Sequence, residues 1–322
     1  MTDLSIWYVS NLQRCNFTCS YCASGQPVLQ KRPGSLPTWA YGEDVHERVV
    51  DWLVRQPHQI RMRMNSIGEP FVSTSYLDSV ARLTQSDNIS FVEILTNGSF
   101  RPNQFDRFAE KCNLAKLSLW MTFHHEFCTP NEIIEAAAYA QKCGAFVVLH
   151  TIAFPDNLDA VEQVITLAKA RDLKITTGMG INFNEAYESA HVAPVLDQPN
   201  SRALRLANYN DPLGELHQLS AKPRGQACGA GHRYFFISAK GDVFPCLTYY
   251  NSRLSEHRLG SVLDTDFTLT PRAAPYAPCV ATTRCTCPED YQNLKAINER
   301  FTWPYPSFCL PVADSSNERC SA

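Results

Sequence analysis

The chain has 322 residues, 44% hydrophobic and 19% charged, with a formal net charge of -3, which suits a globular protein of one large domain or two smaller ones. The near-neutral balance leaves no broad basic field for nucleic acid, and the apolar runs are strand-sized, too short to span a bilayer. The N-terminus shows no basic, apolar and small-residue succession of a secretory signal, so a cytoplasmic protein with no nucleic-acid or membrane partner is expected.

Up to about residue 190, β-rich runs alternate with helical patterns, the sequence mark of βα units around a parallel sheet. Residues 5–10 read as the first strand, and 43–55 as an amphipathic helix with Val45, Val49, Trp52 and Leu53 on one side. Strand 60–64 and helix 76–83 follow. Strand 89–95 then runs into Thr96-Asn97-Gly98, a turn that tolerates positive φ. Next come helix 105–111, strand 115–123, and a helix capped by Thr129-Pro130 that ends before Gly144. Strand 146–152, helix 158–170 and strand 173–177 complete the series. Six units are too few for a closed eight-stranded barrel, so an open, TIM-like (β/α)6 partial barrel is expected over residues 1–190. Residues 191–227, with one helical segment at 213–219, read as a connector. Residues 228–322 read as a small Cys-rich α+β domain that relies on a metal centre in place of a large core.

Thirteen cysteines cannot all pair, and a reducing compartment disfavours disulfides, so the thiols need another explanation. Cys15, Cys19 and Cys22 crowd a loop after the first strand, where parallel sheets place their chemistry. Soft thiolates at this spacing suit Zn, Cu(I) or an iron-sulfur cluster. A structural zinc site is normally closed by four protein ligands, whereas three leave one position for a small molecule.

The run Cys15-Asn-Phe-Thr-Cys19-Ser-Tyr-Cys22 resembles the radical S-adenosylmethionine (SAM) superfamily, whose fold is also a partial barrel. The resemblance implies that these cysteines hold a [4Fe-4S] cluster whose unique iron is chelated by SAM. It further implies that one electron, from a flavodoxin- or ferredoxin-type donor, cleaves SAM to a 5′-deoxyadenosyl radical that abstracts a substrate hydrogen. Ile67-Gly68-Glu69-Pro70 is similar to the family's Gly-Gly-Glu element near the SAM amino group, with the first glycine replaced. The resemblance also points to Asn97, to Ser118 or Thr122 near the SAM ribose or carboxylate, and to Tyr21 near adenine.

A second group opens with a hairpin: strand 234–238, the turn Lys240-Gly241-Asp242, and a return strand at 243–244. It brings Cys228 and Cys246 to neighbouring positions. Cys228, Gly241 and Cys246 resemble the opening of the SPASM and Twitch extensions of radical SAM enzymes. The later cysteines depart from the full SPASM pattern, so one auxiliary [4Fe-4S] cluster, the Twitch form, is implied. Its ligands would be Cys228, Cys246 and two of Cys279, Cys285 and Cys287; a zinc site is the alternative.

Polar residues follow the strands: His124-His125-Glu126, His150, Asp156-Asn157, and Asn182, Asn184 and Glu185. They suit a hydroxylated substrate, with His124 or Glu126 as a proton acceptor; His232 and Tyr234 are further candidates. Only 14 residues precede Cys15, which favours a small molecule over a leader-guided peptide. Members of similar architecture include aminocyclitol dehydrogenases of antibiotic biosynthesis and sugar or aminoglycoside epimerases. Cys128, Cys287 and Cys309 are candidate hydrogen donors for epimerisation, Cys320 also lies in the tail, and Cys112 and Cys143 read as small hydrophobes. Two further readings are modification of a ribosomal peptide and a zinc or iron-sulfur protein without turnover.

Overall fold

A computed structural model describes residues 3–22, 41–154, 156–179, 202–207, 222–283, 285 and 292–299. Its central element is a sheet whose strands appear in chain order as β1 (Asp3–Arg14), β2 (Gln59–Gly68), β3 (Ile89–Thr96), β4 (Leu117–Thr122), β5 (Phe146–Ala153) and β6 (Lys174–Met179). These six lie side by side in that order, each parallel to the next. Helices α1 (Glu43–Val54), α2 (Thr74–Gln85), α3 (Pro102–Ala109), α4 (Pro130–Lys142) and α5 (Leu158–Ala170) connect them. The result is an α/β partial TIM-like barrel, as the alternation of patterns predicts.

The two faces of each strand explain the layers, because successive side chains point to opposite sides. Leu4, Ile6 and Tyr8 of β1, Ile60, Met62 and Met64 of β2, and Leu117, Leu119 and Met121 of β4 are buried in the core beneath the helices. The alternate residues Trp7, Arg63, Glu93 and Trp120 face the barrel interior. Local chemistry supports the helices. Glu43 and Asp44 sit in the first turn of α1, where the helix dipole favours negative charge. The Ser73 hydroxyl accepts a bond from the Tyr76 amide at the start of α2. Thr129 and Glu132 form a reciprocal capping box on α4. Among the described residues, no helix is long and apolar enough to cross a membrane.

The strand boundaries differ from the expectation where the site begins. The first strand continues past residue 10 to Arg14, and the second past residue 64 to Gly68, because the two pair as far as Arg14↔Gly68 after an irregularity. Ladder hydrogen bonds extend a strand without leaving any trace in local hydrophobic pattern.

The hairpin expected within a separate small domain joins the barrel sheet. Strand β8 (Tyr234–Ile237) lies parallel to β1, with Ser5 opposite Tyr234 and Tyr8 opposite Ile237. Antiparallel β9 (Asp242–Phe244) and β10 (Gly260–Ser261) extend the same sheet, while β7 (Ala227–Cys228) and β11 (Ala277–Pro278) form a separate pair. Cys228 precedes β8 and Cys246 follows antiparallel β9, so both lie toward the amino end of the sheet. Cys15 follows β1 at the opposite, carboxyl end.

Candidate active site

The cysteine loop is fixed at its entry by a backbone contact that only glycine permits. Gly68 has a φ of +130°, and a Cβ there would stand 2.2 Å from the Arg14 carbonyl oxygen. That oxygen accepts a 2.8 Å bond from the Glu69 amide. Glu69 is itself buried and joins two strand ends. Its carboxylate accepts from the Phe71 amide at 3.0 Å, the Thr96 hydroxyl at 2.6 Å and the Asn97 amide at 2.7 Å. Burial nevertheless raises its pKa to about 7 against the pull of those bonds. Asn97 continues the chain of contacts, donating to the Asn16 side chain at 3.0 Å and reaching the Cys15 sulfur at 3.9 Å. Asn16 in turn donates to Ser99 at 2.7 Å. Gly68, Glu69 and Asn97, three of the residues singled out by resemblance, thus hold the loop that carries Cys15.

The segment after β4 closes on the same loop from the other side. His124 Nδ1 lies 3.3 Å from both the Cys19 sulfur and the Tyr21 hydroxyl. The Glu126 carboxylate accepts a 2.8 Å bond from the Ser20 amide and another from the Ser20 hydroxyl. Tyr21 stacks on His125 at 5.0 Å and leans on Phe154 at 4.8 Å. Asn157 Nδ2 is 3.0 Å from His125 Nδ1, whereas Asp156 is exposed. His124 and Glu126, expected to face a substrate, therefore have their contacts on the cysteine loop.

Cys128, the next residue but one, makes different contacts. Its thiol donates to the His124 carbonyl at 3.4 Å and packs against the core on the helix side of the sheet. Cys112 and Cys143 pack against that core as well.

Burial pushes the Cys15 thiol up to about 11 and the Cys19 thiol to about 12, and the charges of neighbouring cysteines add to both shifts. The three thiols thus share one electrostatic neighbourhood at the mouth of the barrel. Among the described residues, no three Cys, His, Asp or Glu side chains converge as a ligand set for a single metal ion. Soft sulfur donors in a loop at the strand ends do match the chemistry of an iron-sulfur centre.

Below the loop, the barrel interior is polar and aromatic. Arg63 Nε meets Glu93 at 2.5 Å in a fully buried ion pair, and the guanidinium lies 4.8 Å from the Trp120 ring. His150 packs on Trp120 at 5.4 Å; burial, and then the charge of Arg63, lower its pKa to about 3. Ser118 is buried at the start of β4, two residues before Trp120, whereas Thr122 ends that strand in register with His150. Of the two hydroxyls considered, Thr122 is thus the one at the carboxyl end.

The second cysteine group gathers in an apolar cluster. Cys228, Cys246, Cys279 and Cys285 are buried together with Tyr249, Leu294 and Ile297. The β7–β11 pair sets Cys228 opposite Ala277, and Cys279 exchanges backbone bonds with the segment before β7. The Tyr249 hydroxyl accepts from the Val280 amide at 3.2 Å. Its pKa is raised by burial and then by the charges of Cys279, Cys246 and Cys228. His232 is tied to the Arg272 carbonyl at 2.5 Å, and Tyr234 is buried in this second core. Cys287, Cys309, Cys320, Asn182, Asn184, Glu185 and the helical segment 213–219 lie outside the described residues.

No protein-family model matches the sequence, and no curated protein does. Solved structures do. Native anSMEcpe with bound AdoMet (SAM) superposes with a TM-score of 0.51 at 14% identity, over 91% of this chain and 82% of that one. The chain shares the fold of anSMEcpe. The same protein with bound AdoMet and the Kp18Cys peptide gives 0.50 at 14% identity, over 91% and 82% of the two chains. BtrN in complex with AdoMet and 2-DOIA is a looser match, at 0.36 and 14% identity over 80% and 78%, and carries no weight here. Sequence reasoning missed Ser20, Asn16, Ser99 and the Arg63–Glu93 pair. Each is defined by a partner distant in the chain, which no local motif announces.

Proposed function

We propose that this chain is a radical SAM enzyme in which Cys15, Cys19 and Cys22 hold a [4Fe-4S] cluster that binds SAM. The observation that carries the reading is the placement of three cysteines on a braced loop at the carboxyl end of β1, in a partial barrel superposable on AdoMet-bound anSMEcpe. When bound, the cluster and SAM supply a primary carbon radical that removes hydrogen from an unactivated C–H bond. The chain's own residues do the rest. Gly68, Glu69 and Asn97 hold the loop, Tyr21 supplies an aromatic ring within it, and Thr122 offers a hydroxyl at the strand end. The buried polar interior around Arg63, Glu93 and His150 supports a hydroxylated small molecule, a sugar, aminoglycoside or aminocyclitol, as substrate. Dehydrogenation and epimerisation are the two outcomes to separate. A peptide substrate is the second reading, prompted by the likeness to peptide-bound anSMEcpe.

We also propose an auxiliary [4Fe-4S] cluster on Cys228, Cys246, Cys279 and Cys285, supported by their burial in one cluster together with Tyr249. Such a centre would accept the second electron in a dehydrogenation. Anaerobic reconstitution followed by dithionite reduction tests the proposal. Turnover of SAM to 5′-deoxyadenosine, lost in Cys15→Ala, Cys19→Ala and Cys22→Ala, is the expected result. Absence of 5′-deoxyadenosine with dithionite and with reduced flavodoxin would sink it. Reaction in deuterated water then distinguishes a deuterated stereoisomer from a ketone product.

A further inference from the structure

We infer that residues 124–127 form a clasp on the cysteine loop, and that Glu126, acting through Ser20, positions this loop and lowers the reduction potential of the cluster it holds. The inference rests on the [4Fe-4S] reading above. Its basis is a run of contacts between two short segments about a hundred residues apart. His124 meets Cys19 and Tyr21, His125 stacks on Tyr21, Glu126 takes both donors of Ser20, and Phe127 stacks on Phe17 at 4.9 Å. Four consecutive residues of one loop thus engage Phe17, Ser20 and Tyr21, which interleave with the cysteine ligands, and the ligand Cys19 itself.

The clasp is itself braced. On one side Thr129 and Glu132 cap α4 immediately after Cys128. On the other, Asn157 bonds His125 while its side chain also spans the Phe154 amide and the Ile152 carbonyl. A loop held in this way retains its geometry before iron arrives, which is what residues hydrogen-bonded to the ligands contribute to metal sites. Ser20 directs both its amide and its hydroxyl at one carboxylate, so that carboxylate stays next to Cys19.

Charge and hydrogen bonds near the sulfurs set the potential of iron-sulfur clusters. The oxidised cluster takes one electron from the reductant, with no bond made or broken at Glu126. A fixed anion beside Cys19 disfavours that added negative charge, and replacing it with a neutral amide removes the penalty. Glu126 is thereby a positioning residue, distinct from a substrate base.

The test is an EPR-monitored redox titration of the full reconstituted chain, without SAM or substrate. At the wild-type midpoint, Glu126→Gln and Glu126→Ala are expected to raise the reduced-to-oxidised ratio about threefold, or roughly 28 mV at 59 mV per decade. Glu126→Asp, which keeps the charge, should titrate close to wild type. Iron loss in Glu126→Gln but not in Glu126→Asp, with unchanged far-UV circular dichroism, also supports the clasp. Wild-type midpoint, line shape and iron content in both Glu126→Gln and Glu126→Ala overturn it, and any effect of those variants then confined to turnover returns Glu126 to a substrate role. If the wild-type chain shows no reducible signal dependent on Cys15, Cys19 and Cys22, the cluster reading itself fails.

Discussion

Gly68→Ala tests the joint that carries the first cysteine. The added Cβ would lie 2.2 Å from the Arg14 carbonyl oxygen, well inside any real contact, and the obstacle is backbone that no rotamer change can move aside. The φ of +130° adds strain of about 1–3 kcal/mol for any residue with a side chain. Relieving the clash by shifting Arg14 breaks the bond from the Glu69 amide, a further loss of about 1 kcal/mol. The expected destabilisation is about 2–4 kcal/mol in total, read as a lower urea midpoint at unchanged slope. Because Cys15 directly follows Arg14, the variant should also retain less iron after reconstitution. A variant with the wild-type midpoint and full iron would refute the argument that this contact sets the loop.

Three other outcomes are expected. Thr129→Ala removes one half of the α4 capping box and should cost about 1 kcal/mol in urea unfolding. Arg63→Met leaves Glu93 buried without its ion-pair partner and should cost about 3–5 kcal/mol, most of it recovered in Arg63→Met/Glu93→Leu; equal losses in single and double variants would contradict this. His46, buried between Tyr8 and Tyr76, has its pKa lowered to about 4 by burial. Between that value and about 6.5 the unfolded chain binds more protons than the folded one, so stability is fully present above pH 6.5 and falls as pH drops toward 4. The loss should reach about 2 kcal/mol at pH 5 and be smaller in His46→Gln; identical pH profiles would count against it.

The alternation of β-rich and helical stretches made the barrel legible because each of its elements buries one face, and that face leaves a period in the sequence. The periodicity marks helix 158–170 to its ends for this reason. Thr129-Pro130 announced α4 through capping chemistry, which is local. The three closely spaced cysteines were equally legible, since a loop that supplies several ligands to one centre must carry them close together. The hairpin at 234–244 is legible as a hairpin, but its place beside β1 is not, because pairing between strands more than two hundred residues apart has no local signature. His124 and Glu126 stand out in the sequence as titratable residues after a strand, and only the folded chain shows them meeting Cys19 and Ser20. Cys128 lies close to both in sequence and turns to the other side of the sheet.

Legible in the residues alone were the βα repeat, the cysteine loop after the first strand and the crowding of cysteines in the last third. These follow from periodicity, spacing and residue chemistry acting over a few residues. Tertiary structure alone decided which residues brace that loop, on which side of the sheet each lone thiol falls, and that the two cysteine groups lie toward opposite ends of one sheet. Those outcomes depend on strand register and on close backbone approach, such as Arg14 against Gly68. Both are set only when distant segments compete for the same hydrogen bonds and the same space.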